Sequence, residues 1–342
     1  LADEDIEAGA TRIDASLALS DLYSKANGTV TAYRQTVDAG YSAPGLVTWK
    51  DTEQRGGTLR LPVTDRLALR GKADEKVQTQ GLETSALELD VDYQMTEHWQ
   101  VSGGVRTDSR EDNSPVVPLT QIEGDRTDAV ARLAYDSKGK WAAYGYVQQT
   151  VETTGNQEDN GRIGAGGAYR LSDRFKASGE LSTGDLGEAA KLGTEYLYSD
   201  RTSLYLNYAL ENERTDNGIR AQRGNMSSGF KTRYSDTTSV YLEEKYTHGD
   251  VPTGLTHSTG VDLAPNDRWN YGASLDYGTL TDNNTGASLE RTALGLKVGY
   301  GFEAVKFASA FEYRVDNQEN LDLSVTERTT WLTKNTLKYQ LN

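Results

Sequence analysis

The chain contains no cysteine, which excludes disulfide frameworks and thiolate metal sites. Histidine is nearly as scarce, with three residues, and methionine and proline number two and six. Cations are outnumbered, 36 Lys and Arg against 51 Asp and Glu, for a formal net charge of -15. No basic stripe gathers them, and a nucleic-acid partner needs clustered Lys and Arg, so that class is set aside. No apolar run approaches the ~18 residues of a membrane helix, and no charged segment followed by an apolar one opens the chain. A sequence that begins at Leu1 is expected to be either mature or excised from something longer.

What remains is Gly and Tyr: 34 glycines and 20 tyrosines against 5 phenylalanines. Hydrophobic residues make up 36%, a lean figure that the glycines bring close to the ~45–50% of ordinary globular chains. Disorder is therefore not implied, and many short turns between strands are.

One unit returns along the chain: an alternating run ending in an aromatic, two or three small polar residues, and a second alternating run. "YRLSDRFKASGEL" (169–181) is one copy, and "YQMTEHWQVSGGV" (93–105), "YDSKGKWAAYGYV" (135–147), "YLYSDRTSLYLNY" (196–208) and "YGFEAVKFASAFEY" (300–313) are others. Leu87, Leu89, Val91, Tyr93 and Met95 alternate with Glu88, Asp90, Asp92 and Gln94, a period of two that makes a strand with one apolar face. Leu294, Leu296, Val298 and Tyr300 repeat the pattern, as do Leu204, Leu206, Tyr208 and Leu210.

Runs of this kind fall near 11–22, 28–37, 56–63, 67–77, 84–95, 99–109, 127–136, 141–151, 161–171, 175–183, 189–198, 202–212, 225–234, 238–247, 255–264, 269–277, 291–300, 305–315 and 327–341. Each is about ten residues long, enough for a tilted strand to cross an outer membrane, whereas strands of soluble proteins peak near five or six. Short turns alternate with long polar connections, expected at 38–55, 107–126, 151–160, 212–224, 247–256, 278–290 and 315–326. Pro44, Pro115, Pro118, Pro252 and Pro265 fall in connections, and Pro62 at a strand end. Tyr93, Trp99, Tyr135, Trp141, Tyr234, Trp269 and Tyr300 crowd the run ends, where an apolar ring with a polar tip suits a membrane–water boundary.

These features predict an all-β fold: a transmembrane antiparallel up-and-down β-barrel of about 18–20 strands, with short periplasmic turns and long polar extracellular loops. One domain over 1–342 is expected, with 1–10 as an N-terminal lead-in. A bacterial barrel normally has an even strand number, so nineteen runs mean one run misread or an incomplete wall. A soluble sandwich or propeller explains the alternation but not the run length, end aromatics and loop asymmetry together.

The hairpins around "RIGAGGAYRLSDRFKASGELSTGDLG" and "YLYSDRTSLYLNYALENERTDNG", with "YTHGDVPTGLTHSTGVDLAPNDRWNYG" downstream, resemble the C-terminal β-barrel regions of large Gram-negative outer-membrane surface proteins, often described as OmpA-family-like. The resemblance covers the chain from about residue 30 onward. It implies a barrel, not a reaction, and it implies truncation, because in that family the barrel continues past a segment like "RTTWLTKNTLKYQL". The end at Leu341-Asn342, where barrels usually finish on an aromatic, agrees with that expectation.

Candidate chemistry is sparse. His98 falls in a predicted turn, and His248 and His257 flank a predicted loop without the spacing of a metal site. "NQEDNG" (156–161), "TDNNTG" (281–286) and "DNQENLD" (316–322) carry oxygen ligands of the kind Ca²⁺ prefers but not the EF-hand spacing, and they read as solvated loops. His257 and Ser258 are neighbours on a strand and so face opposite ways, which removes a hydrolase pair. "GAGG" (164–167) reads as wall glycines rather than a phosphate loop.

The expected lumen lining is Glu88, Asp90, Asp92, Asp128, Arg132, Glu243, Lys245, Lys297, Lys306, Glu312 and Arg314. Its acidic band at 88–92 is expected to favour cations in an open pore. The expected function is the outer-membrane anchor and polar conduit of a larger surface protein, with a free-standing porin for small solutes and a soluble adhesion domain as alternatives. No enzyme activity, cofactor or metal is expected. Expected partners are outer-membrane lipid and lipopolysaccharide, the barrel-assembly machinery, and a plug or translocated polypeptide in the lumen.

Overall fold

The computed structural model describes residues 7–23, 27–43, 46–48, 50–117, 121–214, 220–250, 252–282, 286–319 and 324–339. Residues 1–6 of the expected lead-in, Pro44, Pro118, residues 215–219, residues 283–285 of the 281–286 cluster, residues 320–322 of the 316–322 cluster, and Leu341-Asn342 lie outside the described residues.

In chain order the elements are β1 (Ala10–Ala18), a short helix α1 (Leu19–Leu22), β2 (Thr29–Val37), β3 (Ser42–Ala43), β4 (Leu46–Val47), β5 (Thr52–Pro62), β6 (Leu67–Gln78), β7 (Leu82–Gln94), β8 (Trp99–Asp112), β9 (Gly124–Asp136) and β10 (Trp141–Thr153). They continue as β11 (Arg162–Ser172), β12 (Phe175–Gly184), β13 (Ala189–Ser199), β14 (Thr202–Arg214), β15 (Arg220–Arg233), β16 (Thr238–Gly249), β17 (Thr253–Leu263), β18 (Trp269–Thr281), β19 (Ser288–Phe302), β20 (Val305–Glu319) and β21 (Val325–Tyr339). All but β3 and β4, which pair with each other, belong to one 19-stranded sheet. Its strands answer one for one to the nineteen runs expected from the alternation. No described helix is long and apolar enough to cross a membrane.

Contacts group the chain into two compact units, Leu1–Ala168 with Glu180–Glu188 and Arg214–Arg220, and Tyr169–Gly179 with Ala189–Glu213 and Ala221–Asn342. In the first, β1, β2, β5, β6, β7, β8, β9 and β10 pair antiparallel in succession. The second carries the same meander through β15 to β21, together with the β13–β14 hairpin.

A hydroxyl or amide oxygen at the first turn position explains why the hairpin unit repeats. Thr96 Oγ1 accepts the backbone N–H of His98 at 3.2 Å and of Trp99 at 3.1 Å. Thr64 does the same for Arg66 and Leu67, Ser172 for Arg174 and Phe175, and Asn266 for Arg268 and Trp269. The side chain thus occupies backbone donors that the reversal leaves without a ladder partner.

Several expected loops are shorter than the sequence implied. β8 continues to Asp112, β18 to Thr281 and β20 to Glu319, and the following strands begin at Gly124, Ser288 and Val325, so that both ends of 107–126, 278–290 and 315–326 are strand; β16 and β17 leave only 250–252 of the expected 247–256. In these extensions both faces are polar, Ser109 and Glu111 on one and Asp108 and Arg110 on the other. Without apolar contrast the period of two is invisible, yet the backbone ladder continues. The long described connections are 38–51, which holds β3 and β4, 113–123 and 154–161. At the start of the sheet the expected run 11–22 stops at Ala18 and gives way to α1.

Candidate functional site

The two faces of the wall differ sharply. Leu87, Leu89 and Val91 on β7 are exposed, as are Val101 and Val105 on β8 and Leu294 and Leu296 on β19. Among the described residues the buried apolar side chains are Val37, Leu82 and Ala293, whereas Arg126, Asp128, Arg314 and Asp316 are buried and charged. A water-soluble globule has the opposite arrangement.

The turn-side aromatics lie on the apolar face. Trp99 and Tyr135 oppose each other across β8 and β9 with ring centroids 4.9 Å apart, and Trp141 packs 4.8 Å from Tyr135. On β18 and β19, Trp269 stands 4.6 Å from Tyr300. Tyr93 and Tyr234 are exposed beside their turns. Tyr271 stacks on Trp269 and Phe307 pairs with Tyr300 in the same turn-side row, and the alternation alone would have found them.

On the polar face of the first unit, Glu88, Asp90 and Asp92 share one side of β7 and are flanked by cations. Lys72 and Arg70 of β6 oppose Glu88 and Asp90, and Arg106 of β8 opposes Glu88 from the other side. Arg70 Nε lies 2.9 Å from Asp92, and another guanidinium nitrogen 3.8 Å from Asp90; Ser102 Oγ donates to Asp92 at 2.6 Å. Asp128 is held by Arg126 at 3.0 Å, Thr150 at 2.7 Å and Asn160 at 3.2 Å, while Arg126 also reaches Asp108 at 3.1 Å. Glu88, Asp90, Arg106, Arg126, Asp128 and Asn160 line a recess of about 280 Å³. Arg132 lies 4.2 Å above the Tyr144 ring, whose hydroxyl donates to Glu180.

The second unit brings together the rest of the expected lining in two groups and leaves two residues apart. Lys245 pairs with Glu243 at 3.0 Å, and Tyr205 Oη donates to the same carboxylate. Arg314 is 1% exposed, 3.2 Å from Asp316 and 3.6 Å from Glu312; Arg291 closes on Asp316 at 2.6 Å. Lys297 and Lys306 are exposed on the same face. Arg126, Arg291 and Asp316 were not among the expected lining although each has the strand parity of a residue that was; Arg70 and Arg106, also not expected, lie on β6 and β8 and reach this face through their register with Asp90 and Glu88.

Tyrosines form a second layer of this face. Tyr33 lies against Gly56, Tyr146 against Gly164, Tyr205 against Gly229 and Tyr241 against Gly260, each ring filling the space of an absent side chain on the next strand. Gly164, read from the sequence as a wall glycine, sits within β11 in that role.

The histidines do not converge. His257 faces Glu244 and stacks on Tyr277 at 4.6 Å on the apolar side, whereas His248 stands four residues further along β16 and hydrogen-bonds Tyr208 at 3.2 Å. His98 accompanies the carbonyl of Asp136 at 2.8 Å. Ser258 turns to the polar face and donates to Asp276, away from His257. Among the described residues no group of three or more His, Asp or Glu is arranged to hold a metal ion. The parts of 156–161 and 316–322 that are described serve the wall: Asn160 bonds Asp128, and Asp316 belongs to β20.

No protein-family model and no curated protein matches the sequence. Solved structures do share the fold. A variant of the ferric enterobactin receptor PfeA of Pseudomonas aeruginosa aligns over 98% of this chain and 71% of its own, with TM-score 0.61 and 9% identity. OccAB3 of Acinetobacter baumannii aligns over 85% and 92%, with TM-score 0.53 and 11% identity. The copper transporter OprC aligns over 93% and 68%, with TM-score 0.53 and 11% identity. The fold is that of the outer-membrane β-barrels, and the expected location, a bacterial outer membrane, is that of the proteins that share it.

Proposed function

We propose that the chain forms a polar conduit through the outer membrane and anchors a larger surface protein there. The conduit rests on one observation above the rest: Arg126, Asp128, Arg314 and Asp316 are buried while the exposed belt is aliphatic, so the wall suits lipid on one side and water or a polar cargo on the other. Two of the proteins that share its fold are named as a receptor for ferric enterobactin and a copper transporter, which accords with a wall built for passage. The anchor rests on the hairpin resemblance to large surface proteins. In this reading the belt contacts lipid and lipopolysaccharide, the assembly machinery inserts the wall, and no reaction is catalysed.

Single-channel recording of the refolded chain in a planar bilayer tests the conduit. Stable, uniform steps are expected; a chain that inserts and stays silent overturns it. Immunodetection in isolated outer membranes tests the anchor: a polypeptide far above 37.5 kDa is expected, and one of that mass favours a free-standing porin.

A further inference from the structure

Among the described cations of the polar face, Lys231 and Lys297 belong with Lys72, Lys306 and Lys334 to those without an ion pair, and they alone of these share a recess. Arg70, Arg126, Lys245 and Arg314 each have carboxylate partners, but neither Lys231 nor Lys297 makes an ion pair among the described residues. Both line one recess of about 340 Å³ in the second unit, with Tyr205, Tyr241, Asp262 and Ser274. Its size falls within the ~300–1,000 Å³ of small-molecule sites.

The recess exists because side chains are missing. Gly272 and Gly295 form part of its floor, and Tyr205 and Tyr241 lie against Gly229 and Gly260, so that their rings line the hollow instead of filling it. Lys231 opposes Tyr241 across β15 and β16, and Lys297 opposes Gly272 across β18 and β19. The two lysines are thus four strands apart, about 19 Å of backbone, with the tyrosine and carboxylate between them.

Charge in the recess is lopsided. Asp262 is its one carboxylate; Glu243 is occupied by Tyr205 and Lys245, and Asp276 by Ser258. Lys334 continues the positive row, facing Ala310 of β20, which in turn faces Lys297. Two ammonium groups demand an anion, tyrosine ring faces suit the C–H faces of a saturated ring, and Asp262 and Ser274 suit hydroxyl groups. The geometry points to a binding site for an acidic sugar, carboxylate toward a lysine and ring against a tyrosine. As a statement of what the conduit carries, this rests on the conduit reading; as a binding site it does not.

Titration calorimetry of the refolded chain in detergent, with digalacturonate against maltose, is the test. Digalacturonate is expected to bind about tenfold more tightly than the neutral disaccharide, the worth of a charge-assisted hydrogen bond. Lys231→Gln with Lys297→Gln is expected to erase that preference while the heat-modifiable gel shift of a folded barrel persists. Equal binding of the two sugars to the unaltered chain overturns the site, whatever the variant does, as does a preference that survives in the folded variant. Bilayer recording separates the two readings. Binding without conductance leaves the site and removes the conduit, whereas conductance without a preference for the acid removes the site alone.

Discussion

A methyl group added at Gly164 would stand 2.5 Å from the Tyr146 ring, and one added at Gly260 would stand 2.5 Å from Tyr241. To make room, each ring would have to leave the glycine it lies against, so the glycine is part of the tyrosine's seat. Gly164→Val and Gly260→Val are each expected to cost about 1–3 kcal/mol. Gly103→Val, where the nearest atom is a carbonyl oxygen 3.8 Å away, is expected to fall within about 0.5 kcal/mol. Urea unfolding in detergent measures all three, and equal losses would refute the seat. Arg314 presents the same logic in charge. With Asp316 and Glu312 packed around it, Arg314→Met leaves Glu312 without its cation and Asp316 with Arg291 alone, and is expected to destabilise by about 3 kcal/mol in the same assay.

Most strands are longer than the ~9–11 residues that a tilted crossing needs. From Met95 to Leu87 the outward positions of β7 are apolar, and beyond them stand Ser85 and Glu83. Those eight steps cover about 27 Å of strand, and a tilt of ~35–45° reduces them to about 20 Å against an apolar band of about 25 Å. The remainder of the strand rises past the membrane as a two-sided polar ladder, crossed on its outward side by Arg34–Glu53 at 3.0 Å and Arg55–Glu75 at 2.7 Å. Leu89→Arg is therefore expected to cost about 2–4 kcal/mol and Ser109→Arg about 0–1 kcal/mol. Folding equilibria in lipid vesicles check the difference, and comparable costs would move the edge of the band.

For the whole molecule, the sign of the lumen field depends on which charges are already matched. Glu88, Asp90 and Asp92 form the acidic band that the sequence suggested would draw cations, but Arg70 sits within ion-pair reach of two of them. Paired charges present little field to a passing ion. Arg70→Ala is expected to shift the reversal potential in a KCl gradient toward cation preference relative to the unaltered chain. An unchanged potential would show that those carboxylates do not face the ion path.

The period of two is a local property, set by successive side chains pointing to opposite faces, so strand number, strand order and the apolar band were legible from Leu87–Met95 and its counterparts without any tertiary information. The place of the aromatics beside the turns was legible for the same reason, because Trp99 and Trp269 follow Thr96 and Asn266 at a fixed offset. Strand ends were not: at Asp108–Asp112 polar residues occupy both faces, and only ladder hydrogen bonds distinguish strand from loop. Nor was the pairing of charges, since Arg70 with Asp92 and Arg314 with Asp316 depend on inter-strand register and on rotamers. The recess beside Lys231 and Lys297 is the clearest case. Its residues come from six strands, and the hollow exists only once register has set Gly272 opposite Lys297 and Gly295 opposite Ser274.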